Sequence, residues 1–227
     1  MGLYRIPIFP LHTVLFPGML LTLRIFEPRY VEMLERCLAD GEAFGVCLIR
    51  SGSEVGEAAE PFEVGTVCRI IEHTPAGDQQ FLLKTVGAER FRIVRLYHDT
   101  AYLEADVEPM EDLDLDESGQ LELLSLAREV SEKFFSLLES YFEDHAEDLA
   151  TLASDAPTEP LPLSFWVGAL LPCAEPVRQD LLEAPRCRER LELERDLISQ
   201  VKPLLQPRHK VLRYRRMSVN PDSITPN

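Results

Sequence analysis

Leu21, Leu23 and Ile25 alternate with Thr22 and Arg24, a period of two that predicts a half-buried strand. The run before it, Ile6 to Phe16, is almost wholly apolar but contains Pro7 and Pro10. Each proline removes a backbone donor, so this run predicts an edge or bulged strand and not a central one. Pro17-Gly18 then predicts a turn. Pro28 suits the first position of a helix, and Tyr30, Met33/Leu34 and Cys37/Leu38 recur at helical spacing up to Gly41, a candidate end cap. More strands follow: Phe44–Arg50, then "FEVGTVCRIIEH", where Gly65 marks a bulge or a close backbone approach. "FLLKTVGAERFRIVRLY" reads as two strands around Gly87, and in "AYLEADVEP" Tyr102, Glu104 and Asp106 alternate with Leu103, Ala105 and Val107. Six or seven short strands with one early helix, and no strand–helix alternation, predict a mostly antiparallel sheet closed into a barrel or sandwich.

The pattern changes at "EPMEDLDLDESG", an acidic hinge with Asp114 or Asp116 as N-cap candidates. From Gln120 to about His145 the period is 3.6, with Leu121, Leu124, Ala127, Val130, Phe134, Leu138 and Tyr141 on one face. "SDAPTEPLPLS" reads as a proline-rich connection, Ser164 as the cap of a helix over "FWVGALLP", and Pro176 as the start of a short helix. A last helix is predicted from about Arg186 to Leu205, with Leu191, Glu194/Arg195, Ile198 and Val201 along it and Arg188/Glu192 and Arg190/Glu194 as i, i+4 pairs. The fold class is therefore α+β: a β unit over 1–110, a helical unit over 111–207, and a basic tail over 208–227.

Charge sharpens this division. The chain's net charge is −16; residues 1–110 contribute −6, 111–207 contribute −14 and 208–227 contribute +4. Such a body repels a phosphate backbone, which disfavours nucleic acid as a partner. The apolar start lacks a basic leader and is broken by prolines, and no apolar run reaches the length of a membrane span. The expectation is a cytoplasmic protein with no membrane contact. Cys37, Cys47, Cys68, Cys173 and Cys187 are odd in number and form no C-x-x-C, so neither a disulfide framework nor a zinc ribbon is expected. Cys47 and Cys68 lie in strand-like runs, where a reduced cysteine acts as a small hydrophobe.

Chemistry-bearing motifs are sparse. None of the four lysines follows a glycine, which excludes a Walker-type phosphate loop. No G-x-G-x-x-G, G-x-S-x-G or H-E-x-x-H occurs, and the five histidines are scattered. The acidic pairs Glu143/Asp144 and Glu147/Asp148 read as a solvated helix face rather than a catalytic dyad. No catalytic residue, cofactor or metal is expected.

"PLHTVLFPG" and "IFEPRY", followed in order by "CLADGEAFGVCLI", "EVGTVCRIIE", "LLKTVGAERFRI" and "YLEADV", resemble the N-terminal domain of Lon proteases. The resemblance covers roughly Leu3 to Leu205 and weakens over the helices. It implies a PUA-like β-barrel followed by helices, and a substrate-recognition role. A full Lon protease continues into an AAA+ ATPase and a serine–lysine peptidase domain. This sequence ends at Asn227 without the ATP-binding signature and looks like a stand-alone, non-enzymatic substrate-binding domain protein. The resemblance implies that Phe16-Pro17-Gly18 shapes the first turn and that Glu27-Pro28-Arg29-Tyr30 starts a helix plugging the barrel. Glu27 would favour that helix's dipole, Arg29 would stand in an ion pair, and Arg90-Phe91 would combine strand packing with a surface or paired arginine.

The expected function is recognition of unfolded or peptide-like segments, as an adaptor or chaperone-like factor in protein quality control. Candidate polypeptide-binding or family-motif residues are Phe16, Pro17, Glu27, Arg29, Tyr30, Arg90, Phe91 and Trp166, the last either a core residue or a surface anchor. Expected partners are polypeptide segments or partner proteins, with weak self-association left open. The alternative is an RNA-binding PUA-like protein using the tail His209–Arg216, where basic groups flank Tyr214.

Overall fold

The structure is a computed structural model that describes residues 2–54, 56, 59–77, 79–113, 119–139 and 146–201. Seven strands precede most of the helices among these residues: β1 (Tyr4–Leu11), β2 (Leu20–Ile25), β3 (Phe44–Ser51), β4 (Glu60–Pro61), β5 (Val64–Pro75), β6 (Phe81–Tyr97) and β7 (Leu103–Pro109). Helix α1 (Pro28–Asp40) sits between β2 and β3, and α2 (Gln120–Glu139), α3 (Ala146–Asp155), α4 (Pro160–Leu170), α5 (Glu175–Glu183) and α6 (Cys187–Val201) follow. The ladder runs β1-β7-β6-β5-β3-β4, β2 pairs with β6, and a β1–β3 pairing joins the path back to its start. Five strands thus pair in a ring, with one parallel join, β1–β3, in an otherwise antiparallel sheet.

β1 is not the edge strand that its prolines suggest, because it pairs on both sides. β7 takes Tyr4 to Ile8 and β3 takes Ile8 to Leu11. Pro7 lies outside the β3 pairing and Pro10 outside the β7 pairing, so each proline needs a ladder partner on one side only. The segment around Gly87 is one 17-residue strand, not two. Gly87 is required by closeness: a Cβ there would overlap the Phe16 carbonyl oxygen, while the Gly87 C=O accepts from the Gly18 N–H at 2.8 Å. Gly65 is likewise a close approach, since a Cβ would lie 2.5 Å from Cys47 Sγ.

α1 begins with Pro28 at its first turn and ends on Gly41 at φ 68°, as its sequence predicts. Its Tyr30, Met33 and Leu34 pack with Phe9, Leu23 and Ile25 of the sheet. The ring's interior holds Ile8, Cys47, Phe91, Ala105 and Val107. A third cluster spans both halves of the chain, because Val14, Phe16, Leu48 and Val64 pack among the helices.

The helices depart from the predicted pattern in three places. In α2 the buried residues include Leu123, Leu126, Ala127 and Val130, while Leu121 and Leu124 face solvent. Leucines at 121, 123, 124 and 126 offer two stripes, and packing on α4 and α6 selects the second. Residues 140–145, including Tyr141 and the Glu143/Asp144 pair, lie outside the described residues. α3 carries Glu147 and Asp148 in its first turn, where acids favour the dipole, and it runs two residues into the expected proline-rich connection. α4 starts at Pro160, not at Ser164, because a proline at the first turn loses no needed donor. Ser164 is buried inside α4 and its Oγ donates to the Leu161 carbonyl at 2.8 Å. The N-cap candidates Asp114 and Asp116, and the end of the last helix beyond Val201, also lie outside the described residues.

Candidate functional site

The start of α1 organises one end of the molecule. Arg29 Nε donates to Glu27 Oε2 at 3.2 Å, and Arg29 Nη2 donates to the Glu54 carbonyl at 3.1 Å. Glu54 Oε1 accepts from the His12 backbone N–H. Two residues two positions apart on the chain thereby tie the α1 entry to the β3–β4 loop. The Arg29 guanidinium stands 4.5 Å from the Tyr30 ring centroid, and Phe9 meets Tyr30 at 4.3 Å between centroids. Burial pushes the Tyr30 hydroxyl above its ordinary range, so it stays neutral at physiological pH.

Tyr30 separates two surface depressions. The larger, about 210 Å³, is lined by Phe9, Leu11, Thr22 to Phe26, Glu27, Tyr30 and Glu54. The smaller, about 100 Å³, includes Arg29, Tyr30, His98, Thr100 and Tyr102. Phe26 is 50% exposed, so the larger groove carries exposed apolar surface. Of the candidate residues, Glu27, Arg29 and Tyr30 come together here.

The others are elsewhere. Phe16, Arg90 and Phe91 are buried and offer no surface to a ligand; the surface option for Arg90 is corrected by its environment. Arg90 Nη2 and Arg190 Nη2 each donate to Asp112, at 2.7 Å to opposite carboxylate oxygens. Arg90 Nη1 also reaches the carbonyls of Leu182 (2.6 Å) and Ala184 (2.8 Å), and Arg190 Nε donates to Ser164 Oγ at 2.9 Å. Burial pulls the Arg90 guanidinium down to about 10, still charged at neutral pH. This group fastens β6 to α5 and α6. The predicted pairing of Arg190 with Glu194 gives way to Asp112, while Arg188 reaches Glu122 on α2 at 3.4 Å. Pro17 sits in the turn beside Gly87. Trp166 is half-buried against Phe134 and Phe135, at 5.7 and 6.0 Å between centroids, and does not line either depression.

The sequence reading overlooked Phe9, Thr22, Arg24, Phe26 and Glu54. Phe26 alone left a legible trace, an aromatic residue just past a regularly alternating strand. Among the described residues no group of His, Cys, Asp and Glu is arranged to hold a metal, and no helix is long and apolar enough to cross a membrane. Burial pushes the thiols of Cys37 up to about 11 and Cys68 up to about 12, which removes them as nucleophiles. The tail His209–Arg216 lies outside the described residues.

The family model of the ATP-dependent protease La (LON) substrate-binding domain matches residues 5–200. The chain belongs to the Lon substrate-binding domain family. Lon protease 2 of Myxococcus xanthus is 28% identical over 213 residues, which cover 91% of this chain and 25% of that protein. Lon protease of Anaeromyxobacter dehalogenans is 27% identical over 91% of this chain and 24% of its own length. The chain thus spans about a quarter of the curated Lon relatives it matches. The solved Lon N-terminal domain protein of Xanthomonas campestris aligns with a TM-score of 0.57 and 29% identity, covering 83% of this chain and 95% of that one. The N-terminal domain of a Mycobacterium avium complex Lon protease aligns with a TM-score of 0.67 over 86% of this chain and 98% of that one; at 16% identity it speaks to the fold alone. The Lon-domain match falls on the strands and on the helices through α6.

Proposed function

We propose that this chain recognises unfolded or extended polypeptide segments without acting on them chemically, as an adaptor or chaperone-like factor in cytoplasmic protein quality control. The observation that carries the reading is the match of residues 5–200 to the Lon substrate-binding domain. The groove beside Tyr30 supports it. That groove has aromatic and aliphatic walls and an exposed Phe26, which suits apolar side chains of a non-native chain. The net charge of −16 favours segments rich in basic residues and disfavours nucleic acid. Fluorescently labelled, unfolded casein titrated with the full chain is expected to bind saturably in the micromolar range. No saturable binding up to high micromolar concentrations would overturn the reading.

A further inference from the structure

β2 pairs with β6 alone among the described residues. Its other edge faces away from the ladder, and hydrogen bonding fixes which groups lie on it. The Gly87 N–H donates to the Met19 carbonyl at 2.9 Å, and the pairing continues as Leu21↔Thr85, Leu23↔Leu83 and Ile25↔Phe81. Bonded and non-bonded pairs alternate along an antiparallel ladder. The peptide groups of Thr22 and Arg24 therefore point away from β6, along the outer edge.

The larger groove lies on that edge. Thr22, Leu23, Arg24 and Ile25 line it in succession. Successive side chains of a strand project to opposite faces, so a depression touched by four in a row follows the strand's edge and not either face. Phe9, Leu11 and Tyr30 form the facing wall, with Glu27 and Glu54 beside them, and Arg24 is turned to Gln80 Oε1 at 2.8 Å. At about 210 Å³ the groove is smaller than the roughly 300–1,000 Å³ of a small-molecule site. Backbone donors and acceptors on one side and apolar walls on the other match an extended chain. Within the wall Glu27 is offset by its ion pair with Arg29, and Arg24 stands opposite Glu54 in charge, so the preference for basic residues comes from the chain's net charge of −16.

We propose that an extended polypeptide segment alternating apolar and basic residues adds to the sheet as a strand along the outer edge of β2. Its apolar side chains enter against Phe9, Leu11 and Phe26, and its backbone pairs with Thr22 and Arg24. This rests on the polypeptide-binding reading above and assigns that reading a site and a mode.

The test uses the full chain and a capped peptide of about eight residues alternating valine and lysine, within the usual strand length. A second peptide carries N-methyl groups on alternate residues, so that one edge has no donors. The first is expected to bind and the methylated one to bind about tenfold more weakly or worse, the loss of roughly two backbone hydrogen bonds. Thr22→Pro removes an outward N–H while sparing the β6 ladder, and it is expected to weaken the first peptide similarly while circular dichroism stays unchanged. Equal affinity of the two peptides would overturn edge pairing yet leave polypeptide recognition standing. Loss of casein binding as well would remove both. Concentration-dependent dimerisation abolished by Thr22→Pro, with no peptide binding, would assign the edge to a second copy and overturn the proposal.

Discussion

Glu194 is fully buried in α6, and neither carboxylate oxygen has a hydrogen-bond partner. Burial raises its pKa well above the ordinary 4.5, against the smaller opposing pull of Arg190 and the Gly168 backbone. Burial therefore favours the neutral acid form of this carboxyl, which lies near Phe16 and Gly168 of α4. A group whose folded pKa is raised contributes stability that is complete below its unfolded pKa and is lost as pH climbs toward the folded value. The wild-type chain is expected to resist urea better at pH 5 than at pH 8 because of this residue, and Glu194→Gln is expected to flatten that difference. An identical pH dependence in the variant would show that Glu194 is not its source. The same residue shows what a sequence hides: Arg190 and Glu194 read as an i, i+4 pair, but packing buries both and Arg190 bonds Asp112 instead.

At the level of elements, β6 is the central member, pairing with β2 along one stretch and with β7 along another while β5 runs beside both. The handover falls near Gly87, where the turn after Phe16 crosses the strand. Gly87→Ala is expected to destabilise the chain by about 1–3 kcal/mol, because the new methyl meets a backbone carbonyl that cannot rotate away. Thermal melting by circular dichroism measures this; an unchanged midpoint would mean the turn shifts freely. The alternating strands and α1 with its proline start and glycine end were legible because they rest on local rules, side-chain period and backbone conformation. α2's buried stripe, the α4 start and the continuity of β6 were not, because two local solutions were close in energy and partners distant in sequence chose between them.

Across the whole molecule the β half and the helical half are joined by an interior, not by a surface contact. Phe16 lies in the helical cluster, Asp112 bridges Arg90 and Arg190, Gln179 Nε2 donates to the Val64 carbonyl at 3.0 Å, and the Val14 N–H donates to Glu175 Oε2 at 2.9 Å. Removing either half would leave buried charge unpaired, which costs about 3–5 kcal/mol for one such pair. The halves are therefore expected to unfold together: the fluorescence of Trp166, which reports the helices, and the circular dichroism of the whole chain should give coincident urea transitions. An earlier loss of Trp166 signal would show that the helices unfold alone. The sequence by itself determined the sheet-then-helices order, the acidic charge, the absence of a Walker-type phosphate loop and the Lon resemblance, since each is a property of neighbouring residues or of composition. Tertiary structure alone decided that Phe16, Arg90 and Phe91 are interior, that β1 is central, and that β2, among the described residues, pairs on one edge only, beside a groove. Burial and edge exposure depend on which distant segments cover a residue, and no local pattern records that.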